Sequence, residues 1–120
     1  MSWTADQVRR VLESWPELAS GARPHAGLAK VSRDRRSVLP WEIYSRLLVV
    51  DLERGLRELR GRDPAAFTAL RVVYLDVAER CLPYPLRVAA AAAALDLSYR
   101  QTTVLLRRAI LQLTEILNQG

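Results

Sequence analysis

The sequence predicts an all-α fold, a small helical bundle that ends in a C-terminal helix-turn-helix. Three observations predict it. Apolar residues recur at three- and four-residue steps in several separate stretches. No stretch shows the two-residue alternation of a strand. Residues with good helix-capping side chains, Thr4, Asp63 and Ser98, stand in front of three of the periodic stretches. A chain of 120 residues, half of them apolar, has the size of one domain with a modest core.

The first element is a short helix over Asp6–Glu13. Thr4 caps it, and Gln7 stands where a capping-box partner belongs. Val8, Val11, Leu12 and Trp15 form its apolar stripe, and Trp15-Pro16-Glu17-Leu18 is its exit. Residues 1–18 are read as this N-terminal helix. Residues 19–40 read as a basic linker loop, because Gly21, Pro24, Gly27 and Pro40 interrupt any period. Arg23, Lys30, Arg33, Arg35 and Arg36 face only Asp34 there, so the loop carries +4 of the chain's +5. It reads as an ordinary solvated loop, with a flexible basic arm as the other reading.

Residues 41–120 form the helical domain. A long helix over Trp41–Arg60 repeats Tyr44, Leu48, Leu52, Leu56 and Leu59 on one face. Gly55 inside it costs about 1 kcal/mol against alanine, which points to a neighbour packed closely there. Asp63 then caps the next helix with Pro64 at its first position. That helix is expected over Pro64–Leu82, with Phe67, Leu70, Val73, Tyr74, Val77 and Cys81 on its main stripe, and Cys81 as a buried thiol. Val72 and Leu75 cover a second face, which suits a helix buried between others. Pro83-Tyr84-Pro85 breaks the chain. An alanine-rich helix follows over Leu86–Leu95, then a tight turn at Asp96-Leu97. Ser98 caps the last helix, which runs to about Asn118.

Composition narrows the function. Seventeen of the eighteen cations are arginine, Lys30 being the exception, and the pI is near 10.1. Arginine suits bidentate contacts to phosphate and guanine, though a GC-rich genome produces the same bias. The charge points to a polyanionic partner without identifying it. A lone cysteine excludes an intrachain disulfide and fits a reducing, cytoplasmic location. No apolar run is long enough for a membrane span, and the N-terminus lacks the form of a secretory signal. There is no phosphate-binding glycine loop, no dinucleotide fingerprint and no metal-ligand cluster. His25 has no catalytic partner nearby in the sequence. The chain therefore reads as a non-enzyme with no catalytic, cofactor or metal residues. Trp3, Trp15 and Trp41 read as packing residues, one of them pinning the N-terminal helix to the bundle.

The last helix reads as two-faced. At 100° per residue, Thr102, Leu105, Leu106, Ala109, Leu113, Ile116 and Leu117 share one side, bordered by Ile110. Arg100, Thr103, Val104, Arg107, Leu111 and Glu115 take the other, with Arg108 at its edge. A helix whose first turns are polar and cationic, held by a small-residue helix through a tight turn, fits a major groove as the second half of a helix-turn-helix at 86–118. Ala91 and Ala92 let the two helices approach. In that reading Arg100 pairs with guanine. Gln101 or Thr103 contacts an adenine edge or a phosphate, and Val104 meets a thymine methyl. Arg107, Arg108 and Arg87 reach phosphates. A charged solvent face on an ordinary amphipathic helix has the same layout.

Over Leu86–Leu117, VAAAAAALDLS followed by YRQTTVLLRRAILQL resembles region four of sigma factors. Together with VRRVLESWPEL, the basic linker, WEIYSRLLVVDLERGLREL and FTALRVVYLDVAERC, most of the chain resembles phage transcriptional regulators of the ArpU and RinA type. The resemblance implies a regulator of phage or prophage late genes that binds double-stranded DNA, with Tyr99, Arg100 and Thr103 facing the groove beside the Ser98 cap. Two residues depart from the pattern: Thr102 replaces an aliphatic core residue, and Asp96 stands where glycine is frequent. Asp96 tolerates a left-handed backbone, and the Thr102 hydroxyl can bond back to the main chain. Two alternatives share these features, a small DNA-recognition subunit of a phage packaging terminase and a sigma-like module that binds RNA polymerase. Val104 and Leu111, one heptad apart, are also suited to pack under the 41–60 helix or to form a homodimer.

Overall fold

The computed structural model describes residues 3–15, 41–76 and 81–119, with side chains from residue 46 onward in the long helix. Five α-helices and no strand occur among the described residues: α1 (Ala5–Glu13), α2 (Trp41–Arg62), α3 (Pro64–Leu70), α4 (Tyr84–Leu95) and α5 (Tyr99–Gln119). The basic linker and His25 lie outside the described residues. No described helix is long and apolar enough to cross a membrane.

Local chemistry sets the helix starts. Thr4 and Gln7 form the expected capping box on α1, each side chain bonding the other's backbone N–H at 3.2 and 3.0 Å. Asp63 caps α3 by accepting from the Ala66 N–H at 3.2 Å, with Pro64 at the first position. Trp3 and Asn118 then close the two ends of the chain onto each other. The Trp3 N–H donates to Asn118 Oδ1 at 2.6 Å, and Asn118 Nδ2 donates to the Trp3 carbonyl at 3.0 Å. Trp3 is buried, so a tryptophan does tie α1 to the bundle.

The core is one continuous cluster. α1 supplies Val8, Val11 and Leu12, and α2 supplies Leu48, Leu52, Leu56 and Leu59. Ala66, Ala69 and Leu70 come from α3, and Val88 and Ala91 from α4. α5 packs against each of the other four helices. Its buried set is Thr102, Leu105, Leu106, Ala109, Leu113, Ile116 and Leu117, the same seven residues that the helical wheel groups together. Gly55 sits where α2 meets α5. A Cβ built on it would lie 2.9 Å from Leu113 Cδ1 and 3.0 Å from Leu117 Cδ2, closer than carbon atoms pack.

The expected helix over Pro64–Leu82 is corrected in its second half. The α-helix ends at Leu70, and Arg71–Leu75 forms a wider π turn closed by the Asp76 N–H to the Arg71 carbonyl at 2.7 Å. The wider turn turns three successive residues inward, so Val72, Val73 and Tyr74 are all buried. Asp76 is extended and ends the ladder. Cys81 lies in a turn and is exposed, rather than on a buried stripe. α4 begins at Tyr84, two residues earlier than expected, because Pro83 serves as the residue before the helix and Pro85 fits its first turn.

Gly55→Val should destabilise the fold by about 1–3 kcal/mol, because the added methyls overpack the Leu113–Leu117 contact. Urea unfolding followed by circular dichroism measures this.

Candidate nucleic-acid interface

α4, a three-residue turn and α5 carry all nine residues singled out for duplex contact. The turn is built from hydrogen bonds of its own. The Leu97 N–H donates to the Ala92 carbonyl at 3.0 Å and the Asp96 N–H to the Ala93 carbonyl at 3.4 Å, the paired pattern that closes a helix through a left-handed residue. Asp96 is that residue, at φ 55° and ψ 46°, and is the only described non-glycine residue with positive φ. Leu97 packs against the core and fixes the exit direction.

Ser98 then opens α5. Its hydroxyl accepts from the Gln101 N–H at 3.1 Å, and Gln101 Oε1 accepts from the Ser98 N–H at 2.9 Å. This second capping box was readable from Ser98-x-x-Gln101, the same spacing as Thr4-x-x-Gln7, yet the sequence reading gave Ser98 alone that role. The side chains of Ser98 and Gln101 are both engaged in the cap. The Thr102 hydroxyl donates to the Ser98 carbonyl at 2.8 Å, so the departure from an aliphatic residue is met by a buried hydrogen bond. Its burial fixes the facing of α5.

The outward face follows from that registration. Tyr99, Arg100, Val104, Arg107 and Leu111 are exposed, Val104 by 58% and Leu111 by 56%. Neither apolar residue packs under α2. Thr103 is half-buried, and its hydroxyl donates to the Arg100 carbonyl at 2.7 Å. The guanidinium groups of Arg100 and Arg107 have no ion pair or hydrogen bond among the described residues. No acid lies in the first turn of α5, where the helix dipole already favours an anion.

Two other arginines are placed differently from the sequence reading. Arg87 is turned inward. Its Nη1 donates to the Val73 carbonyl at 2.7 Å, and its guanidinium carbon lies 5.6 Å from the centre of the Tyr84 ring. Its Nε is buried without a hydrogen-bond partner. Arg87 therefore joins α4 to the π turn, where the end of the ladder leaves a carbonyl to be satisfied. Burial beside Tyr84 pushes the Tyr74 phenol above its ordinary value. Arg108 leans on Asp63, with Nη2 at 3.1 Å from Oδ2, and Gln112 Nε2 approaches the same oxygen at 3.4 Å. The Asp63 carboxylate thus caps α3 and partly neutralises one member of the arginine pair.

No known protein family matches the chain. No characterised protein and no solved structure matches it either. The outward face of α5 offers two cations unpaired among the described residues, a phenol and a β-branched apolar side chain over the first three turns of a helix, with a hydroxyl-capped N-terminus at its tip. Among the described residues no cluster of histidine, cysteine and carboxylates is arranged to hold a metal.

Ser98→Ala should cost about 1 kcal/mol of stability, the usual value of a lost helix cap, and thermal unfolding by circular dichroism is the measurement.

Proposed function

We propose that the protein is a sequence-specific DNA-binding transcription regulator, with α4, the turn and α5 acting as a helix-turn-helix. The observation that carries this reading is the uncovered start of α5, where Arg100 and Arg107 stand one heptad apart with no protein partner among the described residues. An arginine near the N-terminus of such a helix can give two donors to guanine. One two turns further along meets the phosphate backbone as the helix leaves the groove. Val104 between them matches a thymine methyl, and Tyr99 stands beside the cap. Arg87 and Arg108 play no leading part in this contact, since each is engaged within the fold.

The resemblance to regulators of the ArpU and RinA type supports late phage or prophage genes as the target and the bacterial cytoplasm as the location. The net charge of +5 supports attraction to a duplex. The exposed Val104 and Leu111 favour one second reading, a sigma-like module that grips RNA polymerase. Retention of polymerase with no shift of any duplex selects that reading.

Selection from random duplexes followed by titration across salt tests the proposal. Affinity for the recovered site should fall steeply with salt. Arg107→Ala should reduce the slope of log affinity against log salt by about 0.9, and Arg108→Ala should change it less. Arg100→Ala should cost about 1–3 kcal/mol and relax the preference at one guanine position. Recovery of no preferred sequence, or affinity insensitive to salt and to both substitutions, overturns the proposal.

A further inference from the structure

The outward face of α5 has an internal symmetry that reading a duplex does not require. Arg100, Val104, Arg107, Leu111 and Glu115 fall within an arc of about 80° at 100° per residue. All five are exposed. Val104 and Leu111 share a midpoint between Arg107 and Arg108, and Arg100 and Glu115 share the same midpoint. Along the axis the inner pair is about 10 Å apart and the outer pair about 22 Å. Arg100 and Glu115 carry opposite charges, and neither has an ion pair among the described residues.

A strip of this kind is complementary to itself when turned end for end. A two-fold axis across the helix at the shared midpoint lays Val104 of one copy on Leu111 of the other and sets Arg100 opposite Glu115, each contact occurring twice. The surroundings suit that arrangement. Beside Leu111 lies a mostly apolar hollow of about 310 Å³, lined by Ala5, Asp6, Arg9, Arg107, Ile110 and Leu111, with room for an incoming side chain. The central arginines lie on the two flanks of the strip rather than along its middle. Arg108 is held by Asp63, and Arg107, with no ion pair among the described residues, is exposed and can swing outward into solvent.

We infer that this face is a self-docking surface, on which a second copy of the chain pairs antiparallel through Arg100, Val104, Leu111 and Glu115. Four central apolar side chains make a small interface, so the pair is a reversible one. Pairing covers Arg100, Val104 and Arg107, the residues proposed for duplex contact. A duplex and a second copy then compete, and the dimer is the form that does not bind DNA. The pairing stands without the DNA reading; only this regulatory consequence rests on it.

Sedimentation of the full chain without DNA, from about 1 µM to 1 mM, tests the inference. The mass should rise reversibly from one chain to two and stop there. Leu111→Ser should weaken association at least about ten-fold with unchanged circular dichroism, since it replaces the apolar contact to Val104 with a hydroxyl that has no partner there. Glu115→Arg should also weaken it. Arg100→Glu combined with Glu115→Arg should restore it, because the charges are exchanged across the axis. A single-chain mass at every concentration, a larger assembly, or a double variant no better than Glu115→Arg overturns the inference. Duplex titration at low protein concentration is read separately. Leu111→Ser should keep the wild-type affinity there, and absence of duplex binding by the unaltered chain while its dimer persists counts against the DNA reading alone.

Discussion

The packing of one face of α5 governs the rest of the molecule. Seven residues of that helix are buried, and they touch every other helix. Each fully buried leucine or isoleucine contributes about 1.5–3 kcal/mol. Rotating α5 by one residue would move several of them into solvent and exceed the net stability of an ordinary domain. A helix has one angular degree of freedom, so fixing its inner face fixes its outer one. The direction in which Arg100 and Arg107 point is therefore set by Leu105, Ala109, Leu113 and Ile116, and by the absence of a side chain at Gly55.

The start of α5 is held by a second set of devices. The left-handed Asp96 closes α4, the Ser98–Gln101 box opens α5, and the Thr102 hydroxyl bonds back to Ser98. These groups satisfy one another locally, so the turn needs no outside partner. Below it, Arg87 ties α4 to the π turn. The arginines of this region thus divide by role. Arg87 and Arg108 meet acceptors left by the fold, a carbonyl where a helical ladder stops and the free oxygen of a capping aspartate. Arg100 and Arg107 meet none among the described residues.

The remaining outward residues are not all cationic, and that mixture limits what the face can hold at one time. Arginines favour a polyanion with its counterions released, whereas Val104 and Leu111 favour a dry apolar contact. Both chemistries occupy the same arc of one helix. Whatever covers Leu111 from the antiparallel direction also covers Arg100.

By itself the sequence determined the all-α class, the helix starts at Thr4, Asp63 and Ser98, and the division of α5 into its buried and outward faces. These are local or periodic properties: a cap needs only a side chain within three residues, and a face needs only the helical repeat. It also located the close approach at Gly55, since a glycine inside a strong helix implies an unusual neighbour. Tertiary structure decided the rest. The π turn at Arg71–Leu75 has no breaker to announce it, and its cost is met by burying Val72, Val73 and Tyr74 together. Cys81 is exposed, which the apolar spacing around it did not indicate. The engagement of Arg87 by Val73 and of Arg108 by Asp63 joins residues 14 and 45 positions apart. Charge and spacing along the chain cannot separate an arginine with an acceptor in the fold from one without, because the acceptor is supplied by a different helix.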